Sequence, residues 1–252
     1  GDSVATAIDR LCFRTGGLLV DEFNVVFASL FENSSNHEKI VESLAKSKKG
    51  LSRDEIVSKT SLSSGGGLTR TLNELSESGF ITEHKPFNKV KKEALYRLSD
   101  EYSLFFIKYI KNNSDDSWTS LFNSRSYLSW GGLAFEAICL KHIAQIKKAL
   151  GIGGVSSNSS NWRNNNAQID LVIDRSDNCI NLCEMKFSVS EFTITKTYKD
   201  SLLNKKHEFR KSSTSRKNVF TTMVTSFGVK INPNSTSSID NQVTMNSLFE
   251  NV

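Results

Sequence analysis

One run, Ile169–Lys186 (IDLVIDRSDNCINLCEMK), constrains the fold more than any other. It alternates like two strands joined by the polar turn Asp174–Asn178. On the first strand Ile169, Leu171 and Ile173 are expected on one face, with Asp170 and Val172 on the other. On the second, Ile180, Leu182, Glu184 and Lys186 share a face, and Cys183, Met185 and Phe187 take the opposite one. An apolar strand face therefore ends in Glu184 and Lys186, with Asp170 close by if the strands pair. Ionised groups on buried strands cost free energy unless they are paired or hold a cation. Two carboxylates and a lysine so placed suit a Mg²⁺ ion and a water aimed at a phosphodiester. The competing reading is an exposed Glu–Lys pair at a strand end, which contributes little.

A second acid-bearing element is independent of that hairpin. Trp130–Leu150 reads as a helix with Phe135, Cys139, Leu140, Ile143, Ile146 and Leu150 on one apolar arc. Glu136 falls inside the arc. A short carboxylate there needs a partner, unlike Lys147, whose long stem carries its charge to water. The alternatives are an arginine partner, a loosely packed helix start, or a third acid approaching Asp170 and Glu184. After the hairpin, Thr195–Arg210 reads as a basic helix with Tyr198, Leu202 and Phe209 inward. Asn218–Thr225 reads as a buried strand, Gln242–Thr244 as an edge strand, and Met245–Phe249 as a closing helical turn. Ser156–Asn166 is expected to be a Ser/Asn-rich connection.

Residues 36–100 have the order helix, helix, helix, hairpin, the winged-helix pattern. Ser52 and Glu55 form a capping-box pair at the second helix. Leu68, Leu72 and Leu75 line the third helix, and Gly79 stops it. Phe80–Thr82 and Ala94–Leu98 alternate as strands around a basic turn. In such a fold the third helix can enter a major groove while the wing follows the backbone. The expected nucleic-acid contacts are Arg70 and the turn lysines Lys85, Lys89, Lys91 and Lys92, together with Lys199, Lys205, Lys206 and Arg210. Against this, Glu74 and Glu77 lie on the same third helix, and winged helices also dock proteins.

Charge and composition narrow the classes. The net charge is +5, and residues 187–220, with 8 basic and 3 acidic side chains, hold an excess equal to the whole of it. Such clusters attract phosphate backbones, although a solvated helix face explains them equally well. No apolar run reaches the roughly 18 residues of a membrane span, and residues 2–20 are broken by Asp9, Arg10 and Arg14, unlike a secretory signal. Cys12, Cys139, Cys179 and Cys183 form no CxxC pair and read as free thiols of a reducing cytoplasm. The four histidines are scattered, which gives zinc little support. No GxxxxGK[ST] occurs, so ATP binding has no place in this chain.

The Asp170 and Glu184-Met185-Lys186 pattern resembles the PD-(D/E)XK nuclease core, with Ile169 where the motif nominally has proline. Together with the winged helix and the Phe135-Glu136 helix, the chain resembles the C-terminal half of bacterial and archaeal P-loop (AAA-type) ATPases carrying a restriction-endonuclease-like domain. The resemblance implies a mixed α and β chain, with a winged helix at residues 36–100 followed by a three-layer α/β nuclease-like domain at residues 101–252. It also implies that residues 1–35 are the helical remnant of an upstream ATPase lid, with ATP bound only in that upstream module. Glu136, Asp170, Glu184 and Lys186 become the expected catalytic set. Asp170, Glu184 and Glu136 are then the ligands of Mg²⁺ or Mn²⁺, and Lys186 orients the water. The alternative is a non-catalytic half that binds DNA or protein and regulates the ATPase.

Overall fold

A computed structural model describes residues 3–47, 49–87, 94–111, 117–122 and 124–252. The chain is mixed α and β and divides into two compact units, one of residues 1–84 and 94–134, the other of residues 85–93 and 135–252. Among the described residues no helix is long and apolar enough to cross a membrane.

The first unit contains α1 (Val4–Cys12), α2 (Glu22–Leu30), α3 (Ser35–Ala45), α4 (Arg53–Thr60) and α5 (Gly66–Glu77), then the antiparallel pair β1 (Ile81–His84) and β2 (Leu95–Leu98). After these come α6 (Glu101–Phe105), which runs into a π-helical turn at Phe106–Ile110, α7 (Trp118–Leu121), and the start of α8 (Arg125–Lys141). The cap at α4 is reciprocal, as its sequence requires: Glu55 N–H donates to Ser52 Oγ (3.2 Å) and Ser52 N–H to Glu55 Oε2 (2.7 Å). Gly79 closes α5 with φ of +78°, a left-handed conformation that costs glycine little. The aromatic face of α2 finds its packing surface within this unit. Phe23, Phe27 and Phe31 join Ile40, Val41, Leu44, Ile56, Leu72, Leu75 and Phe80 in one core. The Phe23 ring stacks on Phe106 at 4.6 Å between centroids. A satellite cluster gathers Cys12, Phe105, Tyr109 and Trp118.

The second unit is built on a five-stranded sheet. Its strands are β3 (Ser157–Arg163), β4 (Gln168–Arg175), β5 (Cys179–Lys186), β6 (Asn218–Thr225) and β7 (Asn241–Thr244), side by side in that order. The first three are antiparallel; β5, β6 and β7 run parallel. A parallel neighbour needs a crossover, and α10 (Lys196–Ser213) supplies it between β5 and β6. Alternation along the strands feeds two cores. Leu171, Ile173, Cys183, Met185 and Val224 pack with Phe135, Cys139 and Ile146 of α8 and α9 (Ile143–Ala149). Val172, Ile180, Leu182 and Val219 pack with Phe209 of α10, next to a cluster of Leu202 and Met223. The short α11 (Pro233–Thr236) precedes β7, and a 3₁₀ turn at Met245–Phe249 follows it.

Two expectations change here. The helix read as Trp130–Leu150 starts earlier, at Arg125, and breaks at His142 (φ −108°, ψ 34°), whose N–H bifurcates to the carbonyls of Ile138 and Cys139. No glycine or proline marks that break. Ser156–Asn166 is no plain connection, since it contains the edge strand β3. An edge strand shows polar residues to solvent, so only Trp162 and Asn161 are buried and the hydrophobic alternation is missing.

Candidate active site

The ladder between β4 and β5 is regular from Asp174↔Ile180 to Leu171↔Cys183. Continued one step, that register sets Asp170 against Glu184. There the Asp170 carboxylate accepts the Met185 N–H at 3.0 Å through Oδ2. Beside it, β4 bulges against β3. The partners run Ser160↔Val172 and then Trp162↔Ile169, so β4 carries one extra residue over that interval. Bulges re-aim side chains, and they are common beside functional sites. Here the bulge moves Ile169 away from Leu171 and Ile173 and into the core containing Val172, Leu182 and Phe209. Strict alternation would have placed it on the opposite face.

Glu184 is the most constrained acid of the site. It is 5% exposed, and three groups from two elements surround its carboxylate. Lys205 Nζ of α10 lies 2.6 Å from Oε2. On the other oxygen, Oε1, Lys186 Nζ stands 3.7 Å away and the Tyr198 hydroxyl donates at 3.4 Å. Lys186 Nζ also lies 5.5 Å from the centre of the Tyr198 ring. Burial pushes the Glu184 carboxyl up to about 7, with the Asp170 charge adding to the rise and Lys205 and Lys186 opposing it. Burial, and then the charges of Glu184 and Asp170, push the Tyr198 phenol far above its ordinary value, so it remains a hydrogen-bond donor. Burial thus disfavours the ionised form of Glu184 at this spot despite two nearby ammonium groups.

Glu136 lies half-buried on α8. Burial raises the Cys139 thiol strongly, and the carboxylates of Glu136 and Asp170 raise it further, so both acids act on that sulfur. Burial pushes the Cys183 thiol up to about 12. Both are inert thiols, as free cysteines in a core should be. Among the described residues no three His, Cys, Asp or Glu side chains converge closely enough to hold one ion. Glu136 is therefore not gathered with Asp170 and Glu184 as a third ligand.

Comparison with protein-family models, with curated proteins and with solved structures returns no match to this chain.

The expected nucleic-acid contacts separate into groups. Lys205 turns inward to Glu184, and Lys206 pairs with Asp240 at 3.2 Å, so neither is a plain solvent-facing cation. Lys199 is half-buried, whereas Arg210 and Lys85 are exposed. Lys89, Lys91 and Lys92 lie outside the described residues. Arg70 is 80% exposed, but its Nε donates to Glu74 at 2.7 Å, and Glu74 also meets His37 Nε2 at 2.9 Å. The groove of about 500 Å³ at that face of α5 is lined by Glu32, Glu74 and Glu77 as well as by Arg70 and His37. Its acidic lining opposes a phosphate backbone.

Lys205 and Tyr198 were not among the residues expected at the site, although a signal for both exists. Tyr198, Leu202, Lys205 and Phe209 recur at helical spacing, so Lys205 stands on the inward stripe of α10. A lysine in an apolar stripe asks for a buried acid, by the same reasoning that singled out Glu136.

Proposed function

We propose that the second unit is a PD-(D/E)XK-type, metal-dependent phosphodiesterase and that the first unit is a winged helix guiding it to nucleic acid. The observation that carries this reading is the meeting of Asp170 and Glu184 at the end of the β4–β5 ladder, with Lys186 and Lys205 against Glu184. Mg²⁺ characteristically takes one or two carboxylates and completes its shell with waters and substrate phosphate, so two hard oxygen donors suffice. Asp170 and Glu184 would hold the ion. Bound there, it would polarise a phosphoryl oxygen and acidify a water.

The protein's own groups have separable tasks. The Met185 N–H fixes the Asp170 carboxylate, and the Tyr198 hydroxyl fixes Glu184. Lys186, 38% exposed at its side chain, offers an ammonium to a phosphate or to the attacking water. Exposed Arg210 and Lys85, with Lys89, Lys91 and Lys92 of the basic turn, supply positive charge for a nucleic-acid backbone. An upstream ATPase module as partner belongs to the same reading.

The test is cleavage of supercoiled, linear and single-stranded DNA and of RNA by the purified chain in Mg²⁺ or Mn²⁺. Wild type should cut at least one of them and Glu184→Ala none. Identical behaviour of the two proteins across all substrates removes the proposal. A non-catalytic, nucleic-acid- or protein-binding role is the second reading, favoured by Lys205 already neutralising Glu184.

A further inference from the structure

We propose that Lys205 is a resident counter-ion that occupies Glu184 in place of a divalent metal and must be displaced when one binds. The inference rests on the reading of Asp170 and Glu184 as an ion site and adds a positioning residue to it. Three observations carry it. The Lys205 ammonium sits 2.6 Å from Glu184 Oε2, closer than Lys186 comes to the other oxygen at 3.7 Å. Both members are withdrawn from solvent, with side-chain exposures of 22% for Lys205 and 7% for Glu184. The space beside them, bounded by Ile169, Leu202, Lys206 and Thr221, amounts to about 10 Å³. That is barely room for one water, so an ion that keeps several of its waters cannot reach Oε2 while the ammonium stays.

The lysine chemistry permits the exchange. Its charge is compact, on a flexible four-carbon stem rooted in α10, and can move without unfolding the helix. A buried Glu184 accepts either cation but is poorly served by none, because an unpaired buried carboxylate is costly. Lys205 thus keeps the site intact without metal and sets the concentration at which metal enters.

The test is Mn²⁺ binding to the full 252-residue chain, followed by electron paramagnetic resonance of the free ion and checked by metal-induced thermal shift. Lys205→Met, similar in size and uncharged, should bind Mn²⁺ about tenfold or more tighter than wild type. Lys205→Arg, which keeps the charge and grips a carboxylate through a fork of donors, should bind more weakly than wild type. Lys186→Met should change affinity much less than Lys205→Met. If wild type binds Mn²⁺ while Lys205→Met binds it equally or more weakly, or Lys205→Arg more tightly, the counter-ion role is overturned and the ion site stands. If neither wild type nor any variant binds Mn²⁺, both the site and the counter-ion role fall. Should Lys205→Met fail to fold, the charge-conserving Lys205→Arg decides alone by the direction of its shift.

Discussion

At the scale of single residues, the account turns on a carboxylate held where water is scarce. Glu184 faces Asp170 across a strand end and keeps two lysines and a phenol close to it. Its raised proton affinity has a consequence for stability. The unfolded chain releases this proton near the ordinary value of 4.5, and the folded chain holds it up to about 7. Between those values the folded state binds more protons, so this group's contribution to stability is full below the lower value and is lost as pH rises through the upper one. Glu184→Gln carries no such proton. In chelator-treated buffer, denaturant titrations from pH 5 to 8 should show the stability of Glu184→Gln gaining on wild type as pH rises. Parallel profiles would contradict the assignment. Asp170, Glu184 and Lys186 were legible in the sequence because charges interrupt an otherwise apolar alternation. Lys205 was equally available on the inward stripe of α10, but a cluster of lysines reads first as solvated charge.

At the scale of elements, legibility follows how much apolar surface each element hides. β6, buried over most of its length, stands where its apolar run predicts, and α4 begins at its capping box. β3 escaped notice because an edge strand has little to bury, and its Ser/Asn-rich composition imitates a loop. The β4 bulge also left no trace in composition, since it arises from pairing with β3 rather than from a glycine in β4. Its effect is to decide which face Ile169 occupies, something alternation alone cannot supply. For α2, the aromatic spacing indicated a need for a partner surface but not where that surface lay. Phe27 is fully buried, its ring 4.3 Å from that of Phe23 and 4.6 Å from that of Phe80. Phe27→Ala should destabilise the first unit by about 3–5 kcal/mol, read from its chemical denaturation transition. A loss below about 1 kcal/mol would show that α2 is not part of this core.

At the scale of the whole molecule, the coarse fold class was legible. A mixed α and β chain with a mixed sheet in its second unit follows from the order of elements. The winged-helix and nuclease-like readings remain the proposal made above, supported by that order and by the charged strand ends. The basic excess divides between exposed cations such as Arg210 and cations committed to acids, Lys205 and Lys206. Net charge alone therefore overstates the surface offered to a phosphate backbone.

The central claim is that Asp170 and Glu184 act together as one metal-dependent hydrolytic centre. The most direct measurement is the single-turnover rate of phosphodiester cleavage in Mn²⁺, compared between wild type and Asp170→Asn, a change that removes charge and little volume. The account predicts a fall of at least about 100-fold, the scale on which losing one fixed electrostatic contact slows such chemistry. Equal rates in the two proteins, or cleavage undiminished when the metal is chelated, would contradict it.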